Sequence, residues 1–293
     1  MIRFEKFHPA ILFIYYLLVI VFSMFTVHPI VLAGTLPGSV LLFALLHPMR
    51  ETLRNLLFYF FVFILIGITN PLFSHNGETI LFFLNDNPIT MEAIIYGAVI
   101  SIMLVGIIFW CKCYTKILTS DKFLYLFGKM IPKLSLILSM TLRLIPLFKQ
   151  QIKKISGTQK VLGLYSSESR TDALLGRIRV FDSLLSWSLE NAIDTADAMK
   201  ARGYGLKGRS NFHLFRFHKE DGILLAAILI LTALIASGNA DGVFLFGYYP
   251  YITGMLLTKK AILGYLCMLF FMLLPSLLEI KEKILWNCLR SKI

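Results

Sequence analysis

The chain has 293 residues, of which 57% are hydrophobic and 16% are charged. Soluble domains are about half apolar and a quarter charged, so this composition excludes an ordinary soluble domain and indicates an integral membrane protein. The net charge is +12, and residues 112–219 carry 19 of the 29 Lys and Arg but only 7 of the 17 Asp and Glu. A basic excess beside membrane spans is typical of the cytoplasmic side, and the segment lacks the interleaved aromatic residues of a nucleic-acid surface.

Six stretches are long and apolar enough to span a membrane as helices, which takes about 20 residues each. They cover residues 9–27, 30–47, 55–73, 89–111, 221–238 and 261–279. Loops that carry Lys or Arg alternate along the chain with loops that carry none, which predicts a cell-membrane protein with both termini in the cytoplasm. Lys259 and Lys260 break this alternation. A seventh span over 243–257 would accommodate them only by moving the basic C-terminus outside, so we predict six.

The spans divide the chain into three regions, with four spans in 1–111, a polar segment in 112–219 and two spans in 220–293. Within the polar segment, apolar residues recur at three- and four-residue steps in two stretches, which predicts two long amphipathic helices. Their apolar faces are expected to pack on each other, and packing against the span ends is the alternative. The first stripe comprises Leu134, Leu138, Leu142, Ile145 and Ile152, and the second comprises Leu185, Leu189, Ala192, Ala196 and Met199. The predicted fold class is an all-α polytopic membrane protein with about six transmembrane helices and two long cytoplasmic helices.

Proline and glycine residues set the expected ends of these two helices. Pro132 suits a first helical turn, and Gly157 and Gly163 are both candidate ends of the first helix. The second helix is expected to begin near Ser169, in a sequence that resembles a capping box, and to end at Gly203.

The tripeptide Ala201-Arg202-Gly203 places an arginine between two small residues at the end of the second helix. Small neighbours leave the guanidinium accessible, and its planar fork suits a pair of carboxylate oxygens on a partner. A basic residue at this position also complements the helix dipole, so the tripeptide alone is equally compatible with a structural role.

Four motifs carry a family resemblance. They are Phe7-His8-Pro9, NPLFSHNG at 70–77, MTLRLIP at 140–146 and AMKARGYG at 198–205, which Arg209 follows. In their order and over nearly the whole chain, these motifs resemble those of the transmembrane T component of energy-coupling factor transporters, a cobalt-transport permease-like family. NPLFSHNG and AMKARGYG are the specific motifs, and the other two support them.

The resemblance implies a non-catalytic subunit without a substrate site, an ATPase activity or a cofactor of its own. T components bridge a pair of ABC-type ATPases, which bind the ATP, to a membrane-embedded substrate-binding S component for a vitamin or a transition-metal ion. Two cytoplasmic coupling helices each end in an Ala-Arg-Gly-type motif, whose arginine meets acidic residues of one ATPase. In this chain the resemblance assigns one such motif to Ala201, Arg202 and Gly203.

The other coupling motif departs from the family pattern. The family's first motif resembles Ala-Gln-x-x-Arg-Gly, and the matching stretch here is TQKVLG. Gln159 and Gly163 agree with the pattern, whereas Leu162 stands where arginine is expected and Lys160 is the nearby basic residue. We expect the first contact either to be apolar or to use Lys160, which is a flexible point charge. The ATPase pair is a homodimer or a heterodimer, and the mismatch favours two different subunits.

Two other classes of function are a stand-alone membrane carrier and a membrane-embedded enzyme. A carrier usually places ionisable residues at mid-membrane depth, whereas Glu92 lies close to a span start and no other span interior carries an acid or a base. An enzyme needs a cluster of polar catalytic residues, which the spacing does not provide. Cys111 and Cys113 are one residue apart, unlike the ligands of a zinc site, and His75 has no helical His partner, so we predict no metal site.

Overall fold

A computed structural model describes residues 4–74, 77–84, 87–128, 131–163, 170–206, 215–250 and 252–290. Within these ranges the chain forms nine α-helices, a short N-terminal 3₁₀ turn (Phe4–Lys6) and one antiparallel β-hairpin. The helices are α1 (Pro9–Phe25), α2 (Pro29–Leu46), α3 (Met49–Phe73), α4 (Met91–Ile117), α5 (Ser120–Gly128), α6 (Pro132–Val161), α7 (Arg170–Ala201), α8 (Lys219–Ala240) and α9 (Lys259–Arg290). The strands are β1 (Ile80–Leu84) and β2 (Asn87–Thr90). The expected helix start at Ser169 and the motif residues His75, Asn76 and Arg209 lie outside the described residues.

All six predicted spans are helical, and the all-α polytopic membrane fold is confirmed. Helices α2, α3, α4, α8 and α9 are long and apolar enough to cross a membrane, and α1 is an apolar helix of 17 residues. Between α8 and α9, the described residues of 243–257 form turns, bends and irregular chain rather than a seventh span. Helix α3 begins at Met49, before the predicted residue 55, because the extended backbone of Pro48 sets its start and the charged first turns are also helical.

The β-hairpin between α3 and α4 is missing from the sequence prediction. Strand β1 pairs antiparallel with β2, and Phe82 lies opposite Ile89. The sequence does contain an indication of the hairpin: the apolar run ILFFL at 80–84 is followed by the turn-forming pair Asn85-Asp86 and then by the short stretch NPIT at 87–90. A search for 20-residue spans does not detect such short elements.

The membrane bundle has two ends, the turn end at the 3₁₀ turn and the hairpin end at the β-hairpin. At the turn end the Asp221 carboxylate, only 3% exposed, accepts hydrogen bonds from the backbone N–H of His8 at 2.9 Å and of His218 at 2.8 Å. His8 immediately precedes α1 and His218 immediately precedes α8. One buried carboxylate therefore ties the starts of both helices together, which gives the Phe7-His8-Pro9 motif a structural role.

Lys122 of α5 ties the 3₁₀ turn to the end of α4. Its Nζ donates to the backbone carbonyl oxygens of Glu5 at 2.5 Å and of Ile117 at 2.9 Å. Burial lowers the pKa of the Lys122 ammonium, and the charge of Glu5 partly opposes that shift. Glu279 of α9 accepts a hydrogen bond from the backbone N–H of Phe4 at 3.1 Å. The turn-end segments of α1, α4, α8 and α9 are thus joined around the N-terminal turn by buried or half-buried polar contacts.

The motif NPLFSHNG lies where the hairpin end of α3 meets the start of α4. Asn70 Nδ2 donates to the carbonyl oxygen of Ala93 at 2.9 Å. Gly77 has a φ of +135°, and a Cβ at that position would lie 2.6 Å from Oε2 of Glu92. The same carboxylate accepts hydrogen bonds from the Thr79 hydroxyl at 2.8 Å. The motif requires glycine at this position because any side chain would displace Glu92 and strain the backbone.

The chain separates into two compact units. The first comprises Met1–Lys122 and Phe215–Ile293 and contains the six apolar helices. The second comprises Phe123–Leu214 and contains α6 and α7. In the second unit, the Ser135 hydroxyl near the start of α6 donates to the Leu124 carbonyl oxygen of α5 at 3.3 Å.

Candidate functional site

Helices α6 and α7 pack on each other, as predicted. The clearest side-chain contact joins Phe148 of α6 to Trp187 of α7, with ring centroids 5.8 Å apart and an interplanar angle of 73°. Half-buried residues of α6 follow this contact along one face, namely Leu136, Met140, Leu144, Gln151 and Ile155. Phe148 and Trp187 are close to the midpoints of α6 and α7, so this edge-to-face aromatic pair lies near the middle of both helices.

The two stripes that were expected to form this contact lie elsewhere, and that prediction was wrong. The exposed stripe residues are Leu134, Leu138, Ile145 and Ile152 on α6 and Leu185, Leu189, Ala192 and Ala196 on α7. Helix α6 has apolar residues at helical spacing on two adjacent faces. Periodicity identifies both faces, but it does not determine which of them packs against α7.

Helix α7 ends in a Schellman motif at the predicted glycine. Gly203 has a φ of +81°, and its N–H donates to the Lys200 carbonyl oxygen at 2.9 Å. The N–H of Tyr204 donates to the carbonyl oxygen of Met199 at 3.0 Å. These two bonds satisfy carbonyl groups that a helix end otherwise leaves without donors. Gly203 therefore terminates the helix directly after Arg202.

The side chain of Arg202 is exposed at this helix end, between the exposed Ala201 and the half-buried Gly203. Nearby, Lys200 forms an exposed ion pair with Asp197 at 3.4 Å. Within the described part of the chain, no acidic side chain forms an ion pair with Arg202. The guanidinium is accessible to a carboxylate of another molecule, and the small neighbours let a partner backbone approach.

Helix α6 continues through Gly157, so the earlier of its two expected ends was wrong. A glycine inside a helix costs only about 1 kcal/mol relative to alanine, which the surrounding helix tolerates. The helix ends at Gly163 instead, where φ is +71° and the N–H donates to the Lys160 carbonyl oxygen at 3.1 Å. The preceding N–H, of Leu162, donates to the Thr158 carbonyl oxygen at 3.0 Å.

The two helix ends share the same local geometry. Leu162 and Arg202 each follow the last helical residue, and each directly precedes a glycine in the left-handed conformation. Leu162 therefore occupies at α6 the position that Arg202 occupies at α7. The backbone arrangement is equivalent, whereas the side chain is apolar at one end and cationic at the other.

The residues at the end of α6 differ in accessibility. Gln159 is buried, with 9% of its surface exposed, whereas Lys160 and Gly163 are exposed. Leu162 is 66% exposed and Val161 is 89% exposed. Val161 is absent from the predicted site, although an apolar residue two positions before the helix-ending glycine is visible in the sequence. Two exposed large apolar side chains at this end are suited to contact an apolar surface.

Both helix ends lie well beyond the aromatic contact. Leu162 lies 14 residues beyond Phe148 and Arg202 lies 15 residues beyond Trp187. At 1.5 Å per residue, the ends lie about 21 Å and 23 Å along their own helices from the aromatic contact.

Within the described ranges, no group of three or more His, Cys, Asp and Glu side chains is placed to hold a metal ion. Cys111, Cys113 and Cys267 form no disulfide bond among the described residues. The features at the ends of α6 and α7 are suited to binding rather than to bond-breaking chemistry, because one end presents a cation and the other presents apolar surface.

Comparisons with known proteins agree with the motifs. The family model CbiQ, described as cobalt transport protein, matches residues 6–214. The energy-coupling factor transporter transmembrane protein EcfT of Listeria innocua is 32% identical over 190 residues, which are 60% of this chain and 71% of the relative. The protein of the same name from Staphylococcus aureus is 27% identical over 198 residues, which are 62% of this chain and 73% of the relative. The one from Lacticaseibacillus paracasei is 29% identical over 107 residues, or 40% of its length.

Proposed function

Because the chain belongs to the CbiQ cobalt transport protein family and is the transmembrane component of an energy-coupling factor transporter, we propose that it couples ATP hydrolysis by partner subunits to substrate uptake. The partners in this proposal are a pair of ABC-type ATPases, which bind the ATP, and an S component, which binds a vitamin or a transition-metal ion. ATP-driven closure of the ATPase pair moves α6 and α7, and their movement reorients the S component. The chain itself is non-catalytic and holds no cofactor.

The observation that carries this proposal is the end of α7. The exposed Arg202 lies at a helix end whose backbone is fixed by the left-handed Gly203. A guanidinium offers several N–H donors in a planar fork, which bind the two oxygens of a carboxylate together. Acidic residues in a groove of one ATPase are therefore the proposed partners of Arg202, and Ala201 and Gly203 leave room for the walls of that groove.

The proposal assigns a different chemistry to the end of α6. Leu162 and Val161 are the exposed apolar side chains there, and Lys160 adds a positive charge beside them. We place an apolar contact with the second ATPase at Leu162, with Gly163 as its fixed helix end. Gln159 is buried, so the proposal assigns it no direct contact with the partner. Two unlike ends fit a heterodimer of ATPases better than a homodimer.

The position of charged residues supports the proposed orientation, in which both termini lie in the cytoplasm of a cell-membrane protein. Basic residues accompany the turn-end segments, namely Lys6, Arg50, Arg54, Lys112, Lys116, Lys122, Lys281 and Lys283. Lys259 and Lys260, at the start of α9, are the exception. Lys and Arg in short loops favour the cytoplasmic side, so the turn end is the proposed cytoplasmic end.

Affinity purification of the full-length chain from membranes of its own cells tests the proposed function. Mass spectrometry of the purified complex should identify ATP-binding-cassette subunits together with a small integral membrane protein. If the purified chain carried neither partner, and if the chain alone transported solutes in proteoliposomes without ATP, a stand-alone carrier would replace this proposal.

Substitutions at the end of α6 distinguish an apolar contact from a basic one. Leu162→Asp should weaken ATPase association by about tenfold or more, since burying a leucine contributes about 1.5–3 kcal/mol and a buried charge adds a further cost. Lys160→Ala should change it by less than about twofold, as is typical for an exposed charge. Quantitative co-purification measures both effects. The opposite order of effects would assign this contact to Lys160.

A further inference from the structure

A cavity of about 560 Å³ lies between α2, α3 and α4 of the membrane bundle. Apolar side chains line it on all three helices, and among them are Leu36, Val40, Phe60, Phe63, Ile102 and Val105. Its volume is typical of small-molecule sites. A polar substrate has no partner in such a lining, so the occupant must be an apolar group.

Two contacts join α3 and α4 next to the cavity. Towards the hairpin end, a Cβ on Gly97 would lie 2.7 Å from the carbonyl oxygen of Gly67, so the two backbones are in close contact. Towards the turn end, Lys112 Nζ donates to Oδ1 of Asn55 at 2.6 Å. Tyr59 of α3 and Phe109 of α4, which both line the cavity, pack edge to face with ring centroids 5.0 Å apart.

The length of the cavity corresponds to one leaflet of a bilayer. Its lining on α3 runs from Leu53 to Phe63, which is about 15 Å of helix and half of the roughly 30 Å hydrocarbon core. All of this lining lies between Gly67 and the turn end. The cavity therefore faces the hydrocarbon of the leaflet on the turn-end side.

The turn end of the cavity is basic. Lys112 Nζ lies 4.7 Å from the ring centroid of Tyr59, a cavity-lining residue, and is only partly exposed. Arg50 and Arg54, in the first turns of α3, are exposed at the same end. Positive side chains at the headgroup level attract anionic lipids, and each contributes about 1 kcal/mol.

We propose that this cavity holds an acyl chain of an anionic phospholipid whose phosphate lies beside Lys112. The Tyr59 ring and the Lys112 ammonium mark the boundary between the acyl chain and the headgroup of the lipid. The hydrogen bond to Asn55 holds the ammonium at that boundary. The basic residues at the turn end favour an anionic lipid over an apolar helix of a partner subunit as the occupant. A bound lipid would keep α3 at its present separation from α4.

Native mass spectrometry of the detergent-purified full-length chain tests this site with phosphatidylglycerol and phosphatidylcholine of identical acyl chains. The wild type should retain phosphatidylglycerol at least about fivefold more than phosphatidylcholine, since one basic residue contributes a factor of about five. Lys112→Ala should lower this preference by about that factor, whereas Lys116→Ala, at an exposed position one helical turn away, should leave it unchanged. Val105→Phe should reduce retention of both lipids, and Leu104→Phe, which alters a neighbouring residue outside the cavity lining, should not.

Equal retention of the two lipids by the wild type, or an unchanged preference in Lys112→Ala, would overturn the proposal. Lys112→Ala leaves the apolar lining intact, so it decides the question even if Val105→Phe does not fold. A third result would also overturn it: loss of a co-purifying membrane protein in Val105→Phe, without any lipid bound to the wild type, would assign the cavity to a partner's side chains.

Discussion

Replacing Arg202 by glutamate is expected to lower ATPase association by roughly 30-fold or more, and substrate uptake with it. Breaking one partner of a desolvated charge pair costs about 2–5 kcal/mol, and a reversed charge adds repulsion from the acidic groove. The chain should still insert into the membrane, because Arg202 is exposed and makes no ion pair with the described residues. Co-purification of the ATPases and uptake by whole cells measure the two effects.

Arg202→Lys and Arg179→Glu separate the role of the guanidinium from the effect of charge. Lysine keeps the charge but not the bidentate fork, so Arg202→Lys should recover only part of the association. Arg179 is an exposed arginine of the same helix, and Arg179→Glu should leave association near the wild-type level. Wild-type association in Arg202→Glu, or an equal loss in Arg179→Glu, would contradict the assignment.

Replacing Asp221 by alanine is expected to destabilise the membrane bundle by about 3 kcal/mol, since hydrogen bonds to a charged group contribute about 1.5–3 kcal/mol each. Asp221→Ala leaves the backbone N–H groups of His8 and His218 without their acceptor in a buried site. The starts of α1 and α8 would then lose their connection. Thermal unfolding of the purified chain in detergent should show a Tm lower by roughly 6 °C or more.

Glu220→Ala is the matched control for this effect. Glu220 lies next to Asp221 in the first turn of α8 but is exposed, so its removal should change the Tm little. Asp221→Asn keeps one acceptor oxygen and should have an intermediate effect. If Asp221→Ala melted with the wild type, the carboxylate would not be what holds the two helix starts together.

The sequence predicts the parts of this structure that depend on local chemistry. Twenty apolar residues require a helix in a bilayer, and a glycine after a periodic stretch is suited to the left-handed conformation that ends a helix. The six membrane helices and the left-handed Gly163 and Gly203 are therefore where the sequence indicates them. The equivalent positions of Leu162 and Arg202 follow directly from these two glycines.

Features that depend on tertiary packing are not predictable in the same way. The exposed position of Leu185 and Leu189 depends on which apolar face α7 turns towards α6, and both faces have helical spacing. Asp221 was interpreted only as the first residue of a span, since its acceptor role requires His8, more than 200 residues away in the chain. The sequence also does not show that α6 continues past Gly157, because a long helix tolerates a single glycine in its interior.

Site-directed photocrosslinking tests the central claim, that the end of α7 contacts an ATPase, most directly. Benzoylphenylalanine is introduced in place of the exposed Tyr204, which leaves Arg202 intact, or at position 179 as a control, in cells that express the whole transporter, and crosslinked proteins are identified by mass spectrometry. The proposed function predicts an ATP-binding-cassette subunit crosslinked from position 204 and not from position 179. A crosslink from position 204 to the membrane-embedded subunit alone, or no crosslink to an ATPase, would contradict it.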